Sequence, residues 1–198
     1  MRAKTKPFCQ AILPAVVLIL IVGLDTINSF AQNNRIWATY YGGSDTDVGT
    51  GIAIDANGNV YLSGNTLSAS GISSGGFQNT YGGTTSTTIP GGDAFLVKFN
   101  TSGNRLWATY YGGSGDEWIF DTKVCTDISG NVYLSGSTGS TSGISFNGFQ
   151  NSYGGGNRDA FLVKFDTGGN RLWATYYGGT GGDAGYNVTT DNSQNVYL

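Results

Sequence analysis

Acidic side chains stand a few residues after each of the three Tyr-Gly-Gly motifs that follow Ala-Thr-Tyr. Asp45 and Asp47 follow the first copy, Asp116 and Glu117 the second, and Asp183 the third. Carboxylates that recur in a repeat can bind a cation such as calcium, or serve as the acid and base of a glycosidase or lyase. They can also accept hydrogen bonds from exposed turn amides, which is the default role. The pattern therefore predicts no catalytic residue, no metal site and no cofactor, with calcium as the alternative.

The rest of the composition removes several classes of function. The chain has no histidine, which excludes Ser-His-Asp and Cys-His catalysis and the usual zinc and copper sites. Its lysines and arginines do not cluster, so nucleic acid is not an expected partner. Cys125 aligns with small residues of the other repeats and is expected to be a small buried residue and not a reactive thiol.

The N-terminus has the layout of a secretory signal peptide. A basic start at Arg2, Lys4 and Lys6 precedes an apolar run from Ala11 to Leu24, which is too short for a membrane span. Small residues flank Phe30, and we predict that residues 1–31 are removed after Ala31. The remaining chain would carry a net charge of −5, would have no membrane span, and would be secreted or held at the cell surface.

The carboxylates must be positioned by a repeat of about seventy residues. The nonapeptide RLWATYYGG occurs twice, with a near copy, RIWATYYGG, before them, so that Trp37, Trp107 and Trp173 are spaced 70 and 66 residues apart. The motifs NVYLSG, FQNTYGG or FQNSYGG, and DAFLVKF recur between these copies in a fixed order. Each unit therefore contains four short apolar runs.

Each apolar run has the character of a β-strand. GIAID and NVYLSG flank one Gly/Asn turn, and AFLVKF and NRLWATYY flank another, so each unit forms two hairpins. AFLVKF is apolar on one face and nearly so on the other, which is typical of a strand covered on both sides. Four-stranded units stacked face to face are the blades of a β-propeller.

From Arg35 onward, these motifs resemble the SBBP repeat, named for a seven-bladed β-propeller of bacteria. The resemblance implies an exported bacterial protein built of blades, often part of a longer surface or secreted chain, and it supplies no catalytic residues. We expect an all-β fold of four-stranded antiparallel blades over residues 32–198, with eleven strands in about two and a half blades. Known propellers close with about four to eight blades, so the sequence predicts a C-terminally truncated, incomplete propeller.

The aromatic residues of the nonapeptide have a structural explanation. If it forms the outer strand of a blade, Trp37, Trp107 and Trp173 fill the space between neighbouring blades. We therefore expect a non-catalytic scaffold that binds an unknown protein or polysaccharide at the cell surface. The alternative is part of a carbohydrate-active enzyme, a glycosidase or lyase, that uses the carboxylates of the loops.

Overall fold

The computed structural model describes residues 35–83, 92–118 and 120–198. The predicted signal peptide, residues 1–31, lies outside these ranges. Within them every regular element is a strand and none is a helix, so the all-β prediction is confirmed. The described ranges contain no helix with the length and apolar character needed to cross a membrane. Residues Thr39–Leu198 form one compact unit.

The strands of this unit build two four-stranded antiparallel sheets and a short hairpin. The first sheet has the order β1-β2-β3-β4, the second β5-β6-β7-β8, and the hairpin pairs β9 with β10. Each sheet follows chain order, as expected of a propeller blade, and the set is not closed. The strands are β1 (Asp47–Ile54), β2 (Val60–Thr66), β3 (Asp93–Phe99), β4 (Arg105–Tyr111), β5 (Lys123–Thr126), β6 (Val132–Thr138), β7 (Asp159–Phe165), β8 (Arg171–Tyr177), β9 (Thr189–Thr190) and β10 (Val196–Tyr197).

An aspartate fixes the turn between the first two strands of each blade. Oδ1 of Asp55 accepts hydrogen bonds from the backbone amides of Asn57, at 3.0 Å, and Asn59, at 2.9 Å. The glycine of this turn, Gly58, has a φ of 77°, which a residue without Cβ adopts at little cost. In the third copy Gln194 takes this position with a φ of 65°. These stretches are therefore hairpin turns, as the sequence predicts.

The core lies between the two blades. Every residue of β3 is buried, and so is all of β7 except the half-buried Lys164. This burial on both faces explains why DAFLVKF lacks a regular polar alternation. The residues that pack across the junction come from facing sides of the two sheets: Tyr61, Ala94, Leu96, Trp107 and Tyr111 from the first blade, and Val124, Val132, Leu134, Ile144, Phe161, Val163, Phe165, Ala174 and Tyr176 from the second.

Hydrogen bonds also join the innermost strands of successive blades. The hydroxyl of Thr126 donates to the carbonyl of Ile54 at 3.1 Å, and the hydroxyl of Thr190 donates to the carbonyl of Thr126 at 3.0 Å. Thr126 and Thr190 stand directly before the turn aspartate of their repeats. The same contact therefore links the first blade to the second and the second to the β9-β10 hairpin.

The first nonapeptide does not form the strand that we predict for it. The structure has ten strands and not eleven, because Arg35–Gly43 pairs with no other strand among the described residues. In the two blades this segment pairs with the strand before it, β3 or β7. Its last aromatic residue is nevertheless in place: Tyr41 donates to the carbonyl of Ile72 at 2.6 Å, as Tyr111 does to Ile144 at the same distance.

Candidate functional site

The Tyr-Gly-Gly motif lies where the chain leaves one blade and enters the next. After β4 ends at Tyr111, the two glycines pass so close to neighbouring atoms that neither has room for a side chain. A Cβ on Gly113 would lie less than 3.0 Å from the carbonyl oxygen of Ser142, and a Cβ on Gly43 would meet that of Ser70 in the same way. We call this close approach of the backbone, at the Tyr-Gly-Gly that joins one blade to the next, the crossing. Asp47, Glu117 and Asp183 each follow its second glycine by four residues.

The carboxylate of Asp47 accepts the hydrogen bonds that stabilise the crossing before the first blade. Its Oδ2 accepts the amide of Gly43 at 2.7 Å and the hydroxyl of Ser68 at 3.1 Å, and its Oδ1 accepts the hydroxyl of Thr66. A carboxylate with three donors is a turn cap. Asp45 caps locally as well, since it accepts the amide of Thr46 at 2.7 Å.

Asp183 repeats this arrangement after the second blade. Its Oδ2 accepts the amide of Gly179 at 2.8 Å, and its own amide donates to the carbonyl of Arg158 at 2.8 Å. The side chain is half-buried. It therefore ties the crossing to the loop that precedes β7.

Glu117 occupies the equivalent position between the two blades. Its Oε1 accepts the hydroxyls of Thr138 at 2.7 Å and Ser140 at 2.8 Å, which correspond to Thr66 and Ser68 around Asp47. Glu117 lies ten residues before the turn aspartate Asp127, whereas Asp47 lies eight before Asp55. The two additional residues lie between Glu117 and β5, where Phe120 adopts a φ of 76°, so the position of Glu117 itself stays equivalent. Glu117 is 0% exposed, and burial, followed by the charge of Asp93, raises the pKa of its carboxyl well above the usual range.

Asp116, which is also a predicted carboxylate, does not occupy the position four residues after the second glycine of the crossing. Its backbone carbonyl accepts the amide of Gly139 at 2.8 Å, and its residue is half-buried. Burial is the largest cause of the raised pKa values of Asp93 and Glu117, and the charge of Asp116 raises both further.

Sequence reasoning missed a second acidic position at the start of the third strand of each blade. Oδ2 of Asp93 accepts the amide of Gly82 at 2.8 Å and the side-chain amide of Gln78 at 3.1 Å. Oδ2 of Asp159 accepts the amide of Gly154 at 2.6 Å. Both residues are fully buried, and burial raises the pKa of Asp93 to about 7. The available signal was an aspartate at the head of DAFLVKF, a segment otherwise expected to be covered on both faces.

The tryptophans have different environments. Trp107 is buried in the core between the blades, its ring packs against Tyr61, and its Nε1 donates to the carbonyl of Thr167 at 3.1 Å. Trp173 is half-buried and packs against Tyr133. Trp37 precedes the compact unit Thr39–Leu198. The structure thus places Trp107 between blades, and a ligand-binding role is not needed to explain it.

The carboxylates of the hairpin turns are held by protein donors. Asp127 accepts from the amides of Ser129 and Asn131 and the side chain of Asn131, and Lys164 lies 3.5 Å from its Oδ2. Although burial opposes ionisation, these hydrogen bonds keep the pKa of Asp127 below its usual value. In the described ranges no three His, Cys, Asp or Glu side chains are grouped to hold a metal ion.

The two four-stranded antiparallel sheets and the open set that they form are consistent with incomplete blades of a β-propeller. The model of the SBBP family, described as a beta-propeller repeat, matches residues 36–71, which confirms the resemblance drawn from the sequence. The matched stretch runs from the first nonapeptide through β1 and β2, so it spans the crossing into a blade.

One curated relative extends the comparison over most of the chain. An uncharacterized WD repeat-containing protein of Acanthamoeba polyphaga mimivirus is 28% identical over 201 residues, which cover 84% of this chain and 13% of that protein. The chain thus spans a small part of the relative's length. Together the two matches show a repeat scaffold.

Proposed function

We propose that the chain is an exported, non-catalytic scaffold whose loops bind a protein or a polysaccharide at the cell surface. The observation that carries this proposal is the state of the carboxylates at the blade crossings. They are buried or accept hydrogen bonds from protein donors, so they stabilise the fold and are not available to a substrate.

A glycosidase needs two carboxyl groups that face a substrate, about 5 Å apart for retention or roughly 6.5–9.5 Å apart for inversion. Glu117 is closed off from solvent, and the carboxylate of Asp47 accepts three hydrogen bonds from its own turn. Neither can contact a sugar without first breaking the crossing that it stabilises. This arrangement supports the scaffold over the carbohydrate-active enzyme.

The loops that join the second and third strands of each blade are the surfaces best suited to binding. They connect β2 to β3 and β6 to β7, differ in length, and are rich in Ser, Asn and Gly. The second loop lies along the outer strand, where the amide of Phe146 donates to the carbonyl of Ala174 at 2.8 Å. Variable loops fixed to a rigid framework are where proteins commonly carry binding sites.

Export is the part of the proposal that rests on sequence alone, and it is tested first. The full chain is expressed in a bacterial host, and the exported product is analysed by intact mass and N-terminal sequencing. A product that begins at Gln32 supports export, and a matched chain lacking residues 2–31 should stay inside the cell. An exported product that retains its N-terminus would contradict cleavage after Ala31.

Binding and turnover are then measured on the same preparation. The exported chain is incubated with insoluble cell-wall polysaccharide, bound protein is separated by sedimentation, and release of reducing ends is followed. Binding without release supports the scaffold. Release that is abolished in the Asp183→Asn variant, with binding retained, would support the enzyme instead.

A further inference from the structure

Two carboxylate oxygens at the junction between the blades have no donor in hydrogen-bond geometry among the described residues, although the backbone amide of Gly83 lies close enough to Asp93 to lower its pKa. They are Oδ1 of Asp93 and Oε2 of Glu117, and both residues are fully buried. A buried charged oxygen without a partner is costly, so each such atom calls for an explanation.

The two oxygens face each other across the junction. Asp93 begins the third strand of the first blade, and Glu117 leads the chain into the second blade, where its amide donates to the carbonyl of Gly92 at 2.8 Å. A Cβ on Gly112 would lie less than 3.0 Å from both oxygens, which places the oxygens less than about 5 Å apart. The first glycine of Tyr-Gly-Gly thus leaves the space in which the two carboxyl groups meet.

Among the described residues, no lysine or arginine forms an ion pair with Asp93 or Glu117. The ion pairs of the described ranges involve Asp55, Asp121 and Asp127. The titratable groups near the pair are Asp116 and the hydroxyls of tyrosines whose pKa values are raised, so that these hydroxyls stay neutral near pH 7. These tyrosines are Tyr81, Tyr110, Tyr111 and Tyr176.

We propose that Asp93 and Glu117 share one proton, so that the carboxylic acid of one residue donates a hydrogen bond to the carboxylate of the other and closes the junction between the blades. One proton satisfies both orphaned oxygens at once and halves the buried charge. Loss of that proton leaves two negative charges in contact, which opens the junction as the pH rises.

A proton fits this site better than a metal ion does. Calcium takes six to eight oxygen ligands, and the pair offers two free oxygens. The remaining oxygens of both residues are already bonded, Oδ2 of Asp93 to Gly82 and Gln78, and Oε1 of Glu117 to Thr138 and Ser140. Like charges at such a separation are known to raise the pKa of one partner strongly, as in paired carboxylates that hold one proton between them.

The directions of the pKa shifts agree with this geometry. Burial raises the pKa of Asp93 to about 7, and burial and then Asp93 raise the pKa of Glu117. Because the folded state holds the proton more tightly than the unfolded chain, the contribution to stability is full below the unfolded pKa of about 4. It is lost as the pH rises through the folded pKa, near neutrality and above.

The next crossing repeats the pair in a weaker form. Oδ1 of the fully buried Asp159 also has no donor among the described residues, and a Cβ on Gly178 would lie 3.1 Å from Oδ2 of Asp183 and closer still to that oxygen. Asp183 is half-buried, and its Oδ2 already accepts the amide of Gly179. The second carboxyl group of this crossing is therefore not closed off from solvent, which makes Asp183 a matched control position.

Glu117 is the single glutamate of the chain, so its titration can be observed directly. The full chain is labelled with ¹³C at the glutamate side-chain carboxyl, and the one resonance is followed by NMR from pH 4 to pH 9. We expect a midpoint well above the ordinary value of about 4.3. A midpoint near that ordinary value would overturn the proposal.

Two variants separate the pair from burial alone. In Asp93→Asn the partner charge is gone and an amide can donate to Glu117, so the midpoint should fall by at least one unit, a tenfold loss of proton affinity. In the control Asp183→Asn it should not move. An unchanged midpoint in Asp93→Asn would refute the shared proton. A shift of the wild-type resonance by millimolar CaCl₂ at pH 7, absent in Asp93→Asn, would refute it in favour of a cation.

Stability provides a readout that does not need the label. The unfolding equilibrium constant of the wild type should rise between pH 5 and pH 8, by about tenfold for each unit of pKa shift. Glu117→Gln keeps an acceptor for Thr138 and Ser140 and adds a donor for Asp93, so its stability should depend less on pH than that of the wild type, with the burial of Asp93 as the remaining cause. Equal pH dependence in the two proteins would contradict the proposal.

Discussion

Tyr111 and Tyr177 stand at the same position of two identical nonapeptides, yet the structure predicts a large loss of stability when Tyr111 is replaced and almost none when Tyr177 is replaced. Tyr111 is fully buried at the blade junction, its ring packs against Phe161 and Phe165, with centroids 5.3 and 5.8 Å away, and its hydroxyl donates to the carbonyl of Ile144 at 2.6 Å. Tyr177 is 62% exposed. The sequence context is matched, so any difference comes from the neighbouring blade.

The expected magnitudes follow from what each change removes. Tyr111→Ala empties an aromatic site in the core and should lower the free energy of unfolding by about 3–5 kcal/mol. Tyr111→Phe keeps the ring and loses one hydrogen bond. The cost should be about 1 kcal/mol, since the carbonyl of Ile144 retains the Arg171 guanidinium at 3.2 Å. Tyr177→Ala and Tyr177→Phe should each change stability by less than about 0.5 kcal/mol.

Urea unfolding followed by circular dichroism measures these differences. Because total stability of a domain is about 5–15 kcal/mol, Tyr111→Ala risks unfolding the chain, and the Phe variants keep the comparison measurable. If Tyr177→Phe costs as much as Tyr111→Phe, or if Tyr111→Ala is as stable as the wild type, the packing of the two blades described above is wrong.

Three further predictions concern other parts of the structure. Gly113→Ala should destabilise the protein strongly, because a Cβ there would overlap the carbonyl oxygen of Ser142, whereas Gly179→Ala, at the equivalent position with no atom within 4 Å, should be neutral in thermal unfolding. Asp127→Asn should be less stable than the wild type at pH 7, and the difference should disappear as the pH falls through the lowered pKa of Asp127; a deficit that persists in acid would assign it to packing. Cys125 is half-buried, and burial raises the pKa of its thiol to about 11, so in a Cys9→Ser chain this thiol should react with Ellman's reagent at pH 8 more slowly in the native than in the denatured protein; equal rates would contradict the raised pKa.

The fold was accessible from the sequence because its signals are local. Each hairpin turn is specified by an aspartate, asparagine and glycine within five residues, as in Asp55 to Asn59, and each strand by its own apolar run. Arg35–Gly43 shows the limit of this reasoning. Its sequence is that of a strand, but a strand also needs a partner, and the pattern does not supply one.

The paired carboxyl groups were out of reach for a different reason. Spacing in the sequence identified Asp47, Glu117 and Asp183 as residues that follow a turn, but not what lies opposite them. Asp93 is 24 residues from Glu117 along the chain, and the two meet only because successive blades stack face to face. Which buried groups meet at such a junction depends on the packing of whole sheets.

The stretch matched by the family model begins in the first nonapeptide, whose near-identical copies form the outer strands β4 and β8, and ends after β1 and β2. Because the repeat spans the boundary between two blades, it affects how genes of this kind can change in length. Recombination between two nearly identical nonapeptide codings adds or removes one complete unit, and the product contains no junction of a new type. Copy number can therefore drift while every crossing keeps its glycines and its acidic residue, and the number of blades becomes a quantity that evolution adjusts without redesigning the interface between them.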